Sequence, residues 1–128
     1  MKTIIAGGRD FYNYELLEQQ VNGQKFFAVS EVVSGAARGA DSLGEEYASK
    51  NNLPLKQFHA DWKKHKRAAG IIRNTEMAEY ADCLIAFWDG ASRGTKHMIQ
   101  TMLKRKKPAY VIIYDTATHT YVEDRYFI

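Results

Sequence analysis

The stretch Val32-Val-Ser-Gly-Ala-Ala-Arg-Gly-Ala-Asp-Ser-Leu-Gly-Glu-Glu-Tyr-Ala48 decides the fold. It opens as a β-branched strand, passes through small residues, and continues with Leu43 and Tyr47 one helical turn apart. A strand that runs through a tight turn straight into a helix is the repeating unit of a parallel α/β sheet. Glycine relaxes the backbone of such a turn. The turn itself has no structural use for Arg38 and Asp41 at its rim, so their presence points to something held from outside the chain.

The same alternation extends in both directions. Five apolar, β-branched runs read as strands: Thr3 to Ala6, Ala28 to Val33, Leu55 to Phe58, Cys83 to Phe87 and Ala109 to Tyr114. Each is too continuously apolar to keep one wet face. Between them, helical spacing places Leu16, Leu17 and Val21 on one stripe, and Leu43, Tyr47 and Ala48 on a second. Ile71, Ile72 and Thr75 form a third stripe, and Met98, Ile99, Met102 and Leu103 a fourth. The expectation is a single α/β domain over residues 1–115, a parallel sheet of about five strands with helices on both faces. Residues 116–128 form a tail that reads as an extra strand, a cover over a sheet edge or an oligomer contact.

Composition narrows the function classes. The chain has 128 residues, 45% of them hydrophobic and 26% charged, which fits one soluble domain. No apolar run approaches the roughly 18 residues needed to span a bilayer, and the N-terminus lacks the core of a signal peptide. A cytoplasmic protein is expected. Eighteen basic residues against 15 acidic give a net charge of +3, which suits an anionic ligand without calling for nucleic acid. Cys83 sits in apolar company and reads as a core residue, and the four histidines lack metal-ligand spacing.

Three strand ends carry unusual turns. They are Gly7-Gly-Arg-Asp10, Ser34-Gly-Ala-Ala-Arg-Gly-Ala-Asp41 and Trp88-Asp-Gly-Ala-Ser-Arg-Gly-Thr95. Each joins glycine and a small or polar residue to one arginine: Arg9, Arg38 and Arg93. Glycine admits a ligand close to the backbone, the N–H groups of the following helix bind anionic oxygen, and arginine adds a charged fork. A phosphate suits all three. Arg73 and Asn74 lie on a different side of their helix from Ile71 and Ile72 and are free to face such a site. Trp62 and Trp88 are candidates to stack on a base. The run Lys63 to Arg67 reads either as wet surface or as a phosphate contact.

These motifs resemble a known family. Gly7-Gly-Arg-Asp-Phe11, Val33 to Asp41, Ala68-Ala-Gly-Ile-Ile-Arg-Asn-Thr-Glu-Met77 and Ser92-Arg-Gly-Thr95 are similar to those of the YspA-like branch of the SLOG superfamily, which also holds DprA and LOG-type proteins. The resemblance implies a Rossmann-like fold and a site for nucleotides or their derivatives, including NAD-derived signals. Carried over by motif, the site residues are Gly7, Gly8 and Arg9, then Ser34, Gly35, Arg38, Gly39 and Asp41. Arg73, Asn74, Ser92, Gly94 and Thr95 complete the set. Lys66 stands where the family pattern expects a glycine after the histidine.

A second departure concerns chemistry. LOG-type enzymes are similar to one another in a Pro-Gly-Gly-x-Gly-Thr-x-x-Glu motif, and aligning Gly94-Thr95 with its Gly-Thr puts Met98 at the glutamate. A thioether transfers no proton, so the expectation leans away from an enzyme and toward a sensor or sequestering protein for an ADP-ribose-like or NAD-like nucleotide. Two alternatives stay open. One is an N-glycosidase or phosphoribohydrolase that relies on Asp41 or Asp89; the other is single-stranded DNA binding of the DprA type, which the mild charge disfavours. Glu45 and Glu46 are assigned to solvent, no resident cofactor or metal is expected, and a dimer is the expected homo-oligomer.

Overall fold

The computed structural model describes all residues, Met1–Ile128. Six strands form one sheet: β1 (Lys2–Gly7), β2 (Glu31–Ser34), β3 (Leu55–Gln57), β4 (Cys83–Trp88), β5 (Ala109–Tyr114) and β6 (Tyr121–Phe127). Their order is β3-β2-β1-β4-β5-β6. Every pairing is parallel except β5 with β6. The α/β fold is therefore Rossmann-like, with the first five strands parallel and an antiparallel edge strand added by the tail. Strand β3 corrects one expectation, since its three residues are all exposed. It is the outermost strand on its side, so Lys56 and Gln57 meet water.

The helices are α1 (Tyr14–Gly23), α2 (Ala40–Lys50), α3 (Trp62–His65), α4 (Ala69–Tyr80) and α5 (Arg93–Lys104), with a 3-10 turn, Lys66–Ala68, joining α3 to α4. Alternation along β1 splits the core in two. Ile5 packs with Leu17 and Val21 of α1 and Tyr47 and Ala48 of α2. Ile4 and Ala6 face the other way, onto Met77 and Ala78 of α4 and Met98, Ile99 and Met102 of α5. Period-2 strands between period-3.6 helices thus cover both faces of the sheet.

Helix α4 reverses its expected orientation. Ile71 is exposed and Ile72 and Thr75 only partly covered, while Ala69, Asn74, Met77 and Ala78 are buried. A stripe of isoleucines reads as the inward face when apolarity is the sole guide; here the inward face carries a polar residue that the cleft below uses. Lys107, in the basic run after α5, donates to the carbonyls of Ala78 and Ala81, both at 2.7 Å, and so satisfies the end of α4 rather than of its own helix. Cys83 is buried, and burial pushes its thiol up to about 11, well away from nucleophilic use. No helix is long and apolar enough to cross a membrane.

Candidate functional site

In an open parallel sheet, ligands bind beyond the carboxyl ends of the strands where the strand order reverses. Here that point lies between β1, which continues into α1 and β2 on one side, and β4, which leads to β5 on the other. A cleft of about 760 Å³ opens there. Its floor is Ala6 to Arg9 at the end of β1, and one wall is the loop from Asp89 into α5. The remaining walls come from Asp41, from Arg73 and Asn74 on α4, and from Tyr114 at the end of β5.

The α5 end of the cleft presents unpaired hydrogen-bond donors. Ser92 occupies the N-cap position, yet no side chain caps the helix. The first backbone bond of α5 runs from Lys96 to the Ser92 carbonyl, which leaves the amides of Arg93, Gly94 and Thr95 open. Thr95 is 4% exposed, and its hydroxyl, which lines the cleft, bonds to no protein group. No fully enclosed side-chain polar atom in the molecule lacks a partner, so this hydroxyl is accessible from the cleft. Asp89 shapes the loop by accepting from the amides of Ala91 (2.9 Å) and Ser92 (2.7 Å). Arg93 and Arg9 are exposed at the rim, and Arg9 lies over the Trp62 ring at 5.7 Å.

A chain of polar contacts ties the opposite walls together. Arg73 donates through Nη1 to the Gly35 carbonyl (2.5 Å) and through Nε to Asn74 Oδ1 (3.0 Å). Asn74 in turn donates through Nδ2 to the Gly94 carbonyl (3.3 Å) and meets His97 Nδ1 (3.2 Å). Half-buried His97 also meets the Thr101 hydroxyl, and burial pulls its pKa down. Asp41 accepts from the Ala37 amide at 3.2 Å. Burial drives its carboxyl up to about 6, against the opposing pull of that hydrogen bond and of Arg73 and Arg9. Burial likewise depresses the Arg73 guanidinium.

Not every expected residue is in the cleft. Gly7, Gly8, Arg9, Asp41, Arg73 and Asn74 line it, as do Asp89, Ser92, Arg93, Gly94, Thr95 and Trp62. Gly35 and Arg38 instead line a smaller adjoining hollow of about 450 Å³, which shares Arg9, Trp62 and Arg73 with the cleft. Arg38 points outward and pairs weakly with Asp10 at 3.7 Å, so the three turn arginines do not all converge. Ser34 is turned inward, where its hydroxyl donates to Glu45 Oε2 at 2.7 Å. Glu45, expected in solvent, is half-buried and engaged by this contact. Trp88 donates through Nε1 to the Ser92 carbonyl and packs on the α4–α5 core layer, so its ring braces the loop and does not line the cleft.

Gly39 holds two turns together. Its φ of +76° lies in the left-handed region, and a Cβ there would strike the backbone of Gly8 and Arg9. Lys66 adopts φ +50°, a conformation glycine favours, at the position where the family resemblance calls for glycine. Met98 is buried at the cleft wall and brings no acid or base. Sequence reasoning missed Asp10, Tyr114 and His119, all of which line the cleft. The position of Tyr114 as the last residue of the fifth strand was the available signal. His119 gave none, since its place depends on stacking against Tyr12 at 3.9 Å and on the Tyr12 amide, which donates to its Nδ1.

The family model described as the YspA, cpYpsA-related SLOG family matches residues 1–65, which include the first two glycine turns. The chain is similar to the "Gene 61 protein" of Mycobacterium phage D29, with 37% identity over 117 residues covering 84% of this chain and 92% of the relative. No solved structure matches.

Proposed function

The chain belongs to the YspA, cpYpsA-related SLOG family, and on that premise we propose that its cleft binds a phosphorylated nucleotide or a nucleotide-derived molecule of the ADP-ribose or NAD type, as a sensor or a sequestering protein. One observation carries the reading: an uncapped helix N-terminus and the unpartnered Thr95 hydroxyl face the sheet's switch point, flanked by Arg93 and Arg9. Open amides and a helix dipole stabilise an oxyanion, and the arginines neutralise it. Trp62, half exposed on the far side of β1 from α5, offers a face for a base. The anchored network from Gly35 through Arg73 and Asn74 to Gly94 fixes the walls before a ligand arrives, which lowers the ordering cost of binding.

A second reading, hydrolysis of an N-glycosidic bond, is favoured by Asp41 alone. Its carboxyl, held at about 6 inside the cleft, has the protonation behaviour of a general acid or base near neutral pH. Calorimetry with AMP, ADP and ADP-ribose, paired with chromatography for released base, separates the readings. Binding without turnover supports the sensor. Sustained base release that disappears in Asp41→Asn replaces it with the hydrolase.

A further inference from the structure

We infer that Tyr114, with Asp10 and Asp89, forms a subsite for the vicinal diol of a ribose attached to the bound phosphate. The inference rests on the phosphate reading above and gives the same cleft a sugar preference. Tyr114 is 5% exposed, and its ring packs against Phe11 at 4.6 Å. Its hydroxyl nevertheless bonds to no protein group, and no fully enclosed side-chain polar atom in the molecule goes unpartnered. That hydroxyl lies directly over Gly8 on the cleft floor, in the place a Cβ of residue 8 would occupy. A nearly buried phenol that keeps its polar end open toward a cleft is poised for a partner from outside.

The neighbours of this hydroxyl set the partner's chemistry. Asp10 and Asp89 both line the cleft, and after burial, the largest cause, both charges raise the pKa of Tyr114. Two carboxylates repel a phosphate, so the anion belongs at the α5 terminus and this end takes hydrogen-bond donors. Asp89 uses one oxygen, Oδ1, on its own loop and leaves Oδ2 without a protein partner. It lies in the loop that feeds α5, so a ribose esterified to a phosphate at that helix end is within its reach. A vicinal diol donates to carboxylates while accepting from a phenol, and it uses all three groups at once. An exocyclic amine only donates and would leave the Tyr114 proton unused.

The test is calorimetric titration of the full chain with AMP and 2′-deoxyAMP. The wild type is expected to prefer AMP by about tenfold. Tyr114→Phe, which keeps the ring in its core position, is expected to cut that preference to about threefold or less. Asp10→Asn, at an exposed position that does not risk the fold, is expected to reduce the preference as well. Equal binding of both nucleotides by the wild type overturns the diol subsite and leaves phosphate binding standing. A preference that survives both substitutions overturns the assignment to these residues. Binding of neither nucleotide removes the phosphate reading and this inference with it.

Discussion

Asp41→Asn is expected to stabilise the protein at alkaline pH, and the structure sets the size of the effect. The carboxyl is 6% exposed, and its pKa rises from the ordinary 3.8 to about 6 because burial penalises the anion more than Ala37, Arg73 and Arg9 relieve it. A group whose folded pKa lies above its unfolded one favours the native state only while protonated. That contribution is intact below about 3.8 and is lost as pH rises through about 6. At about 1.4 kcal/mol per pH unit between the two values, ionised Asp41 costs the native state about 3 kcal/mol at pH 8. Asparagine keeps an oxygen for the Ala37 amide and carries no charge. Urea or thermal unfolding of both proteins at pH 4 and pH 8 reads the difference. The variant should lie within about 1 kcal/mol of wild type at pH 4 and exceed it by about 3 kcal/mol at pH 8, roughly 10 °C in Tm for a chain of this length. A gap that does not change with pH, or an Asn variant less stable at pH 8, refutes the claim that the buried charge is a net cost. Confirmation would mark Asp41 as a group retained against stability, as functional sites often require.

Four further substitutions have expected outcomes. Arg93→Ala should weaken AMP binding by about 1.5 to 3 kcal/mol and Thr95→Val by about 1 kcal/mol, measured by calorimetry, with Tm little changed for the exposed Arg93. Arg38→Ala should leave AMP affinity within about 0.5 kcal/mol, because its only ion pair is exposed at 3.7 Å and it stands outside the cleft. Gly39→Ala should lower Tm by several degrees, about 1 to 3 kcal/mol, through the left-handed φ and the clash with the Gly8–Arg9 backbone.

The parallel core of the fold was legible because buried strands such as Cys83–Trp88 are apolar on both faces, a pattern that little else produces. Strand β6 was not. Glu123, Asp124 and Arg125 occupy its middle, and an edge strand exposed along nearly its whole length has no apolar run to give it away. Helix α4 misled for a related reason. Apolar spacing identifies a stripe but not what the stripe faces, and Asn74 is drawn inward by the Gly94 carbonyl and His97, which lie 20 and 23 residues away in sequence, and is held there by its neighbour Arg73. In the site, the glycine turns flanking β1 and β4 were readable because turn chemistry is local. The outward swing of Arg38, the inward turn of Ser34 toward Glu45 and the arrival of Tyr114 are products of tertiary packing, which no short motif encodes.

The central claim is that separate turns meet at one anion-binding point where the strand order reverses. Backbone amide shifts in a 1H–15N NMR titration with AMP test it most directly. The expected result is saturable change concentrated at Gly7 to Arg9 and at Ser92 to Thr95, two segments far apart in sequence that respond with a single dissociation constant. Changes confined to the basic run Lys63 to Arg67, or spread evenly over the surface, would contradict it.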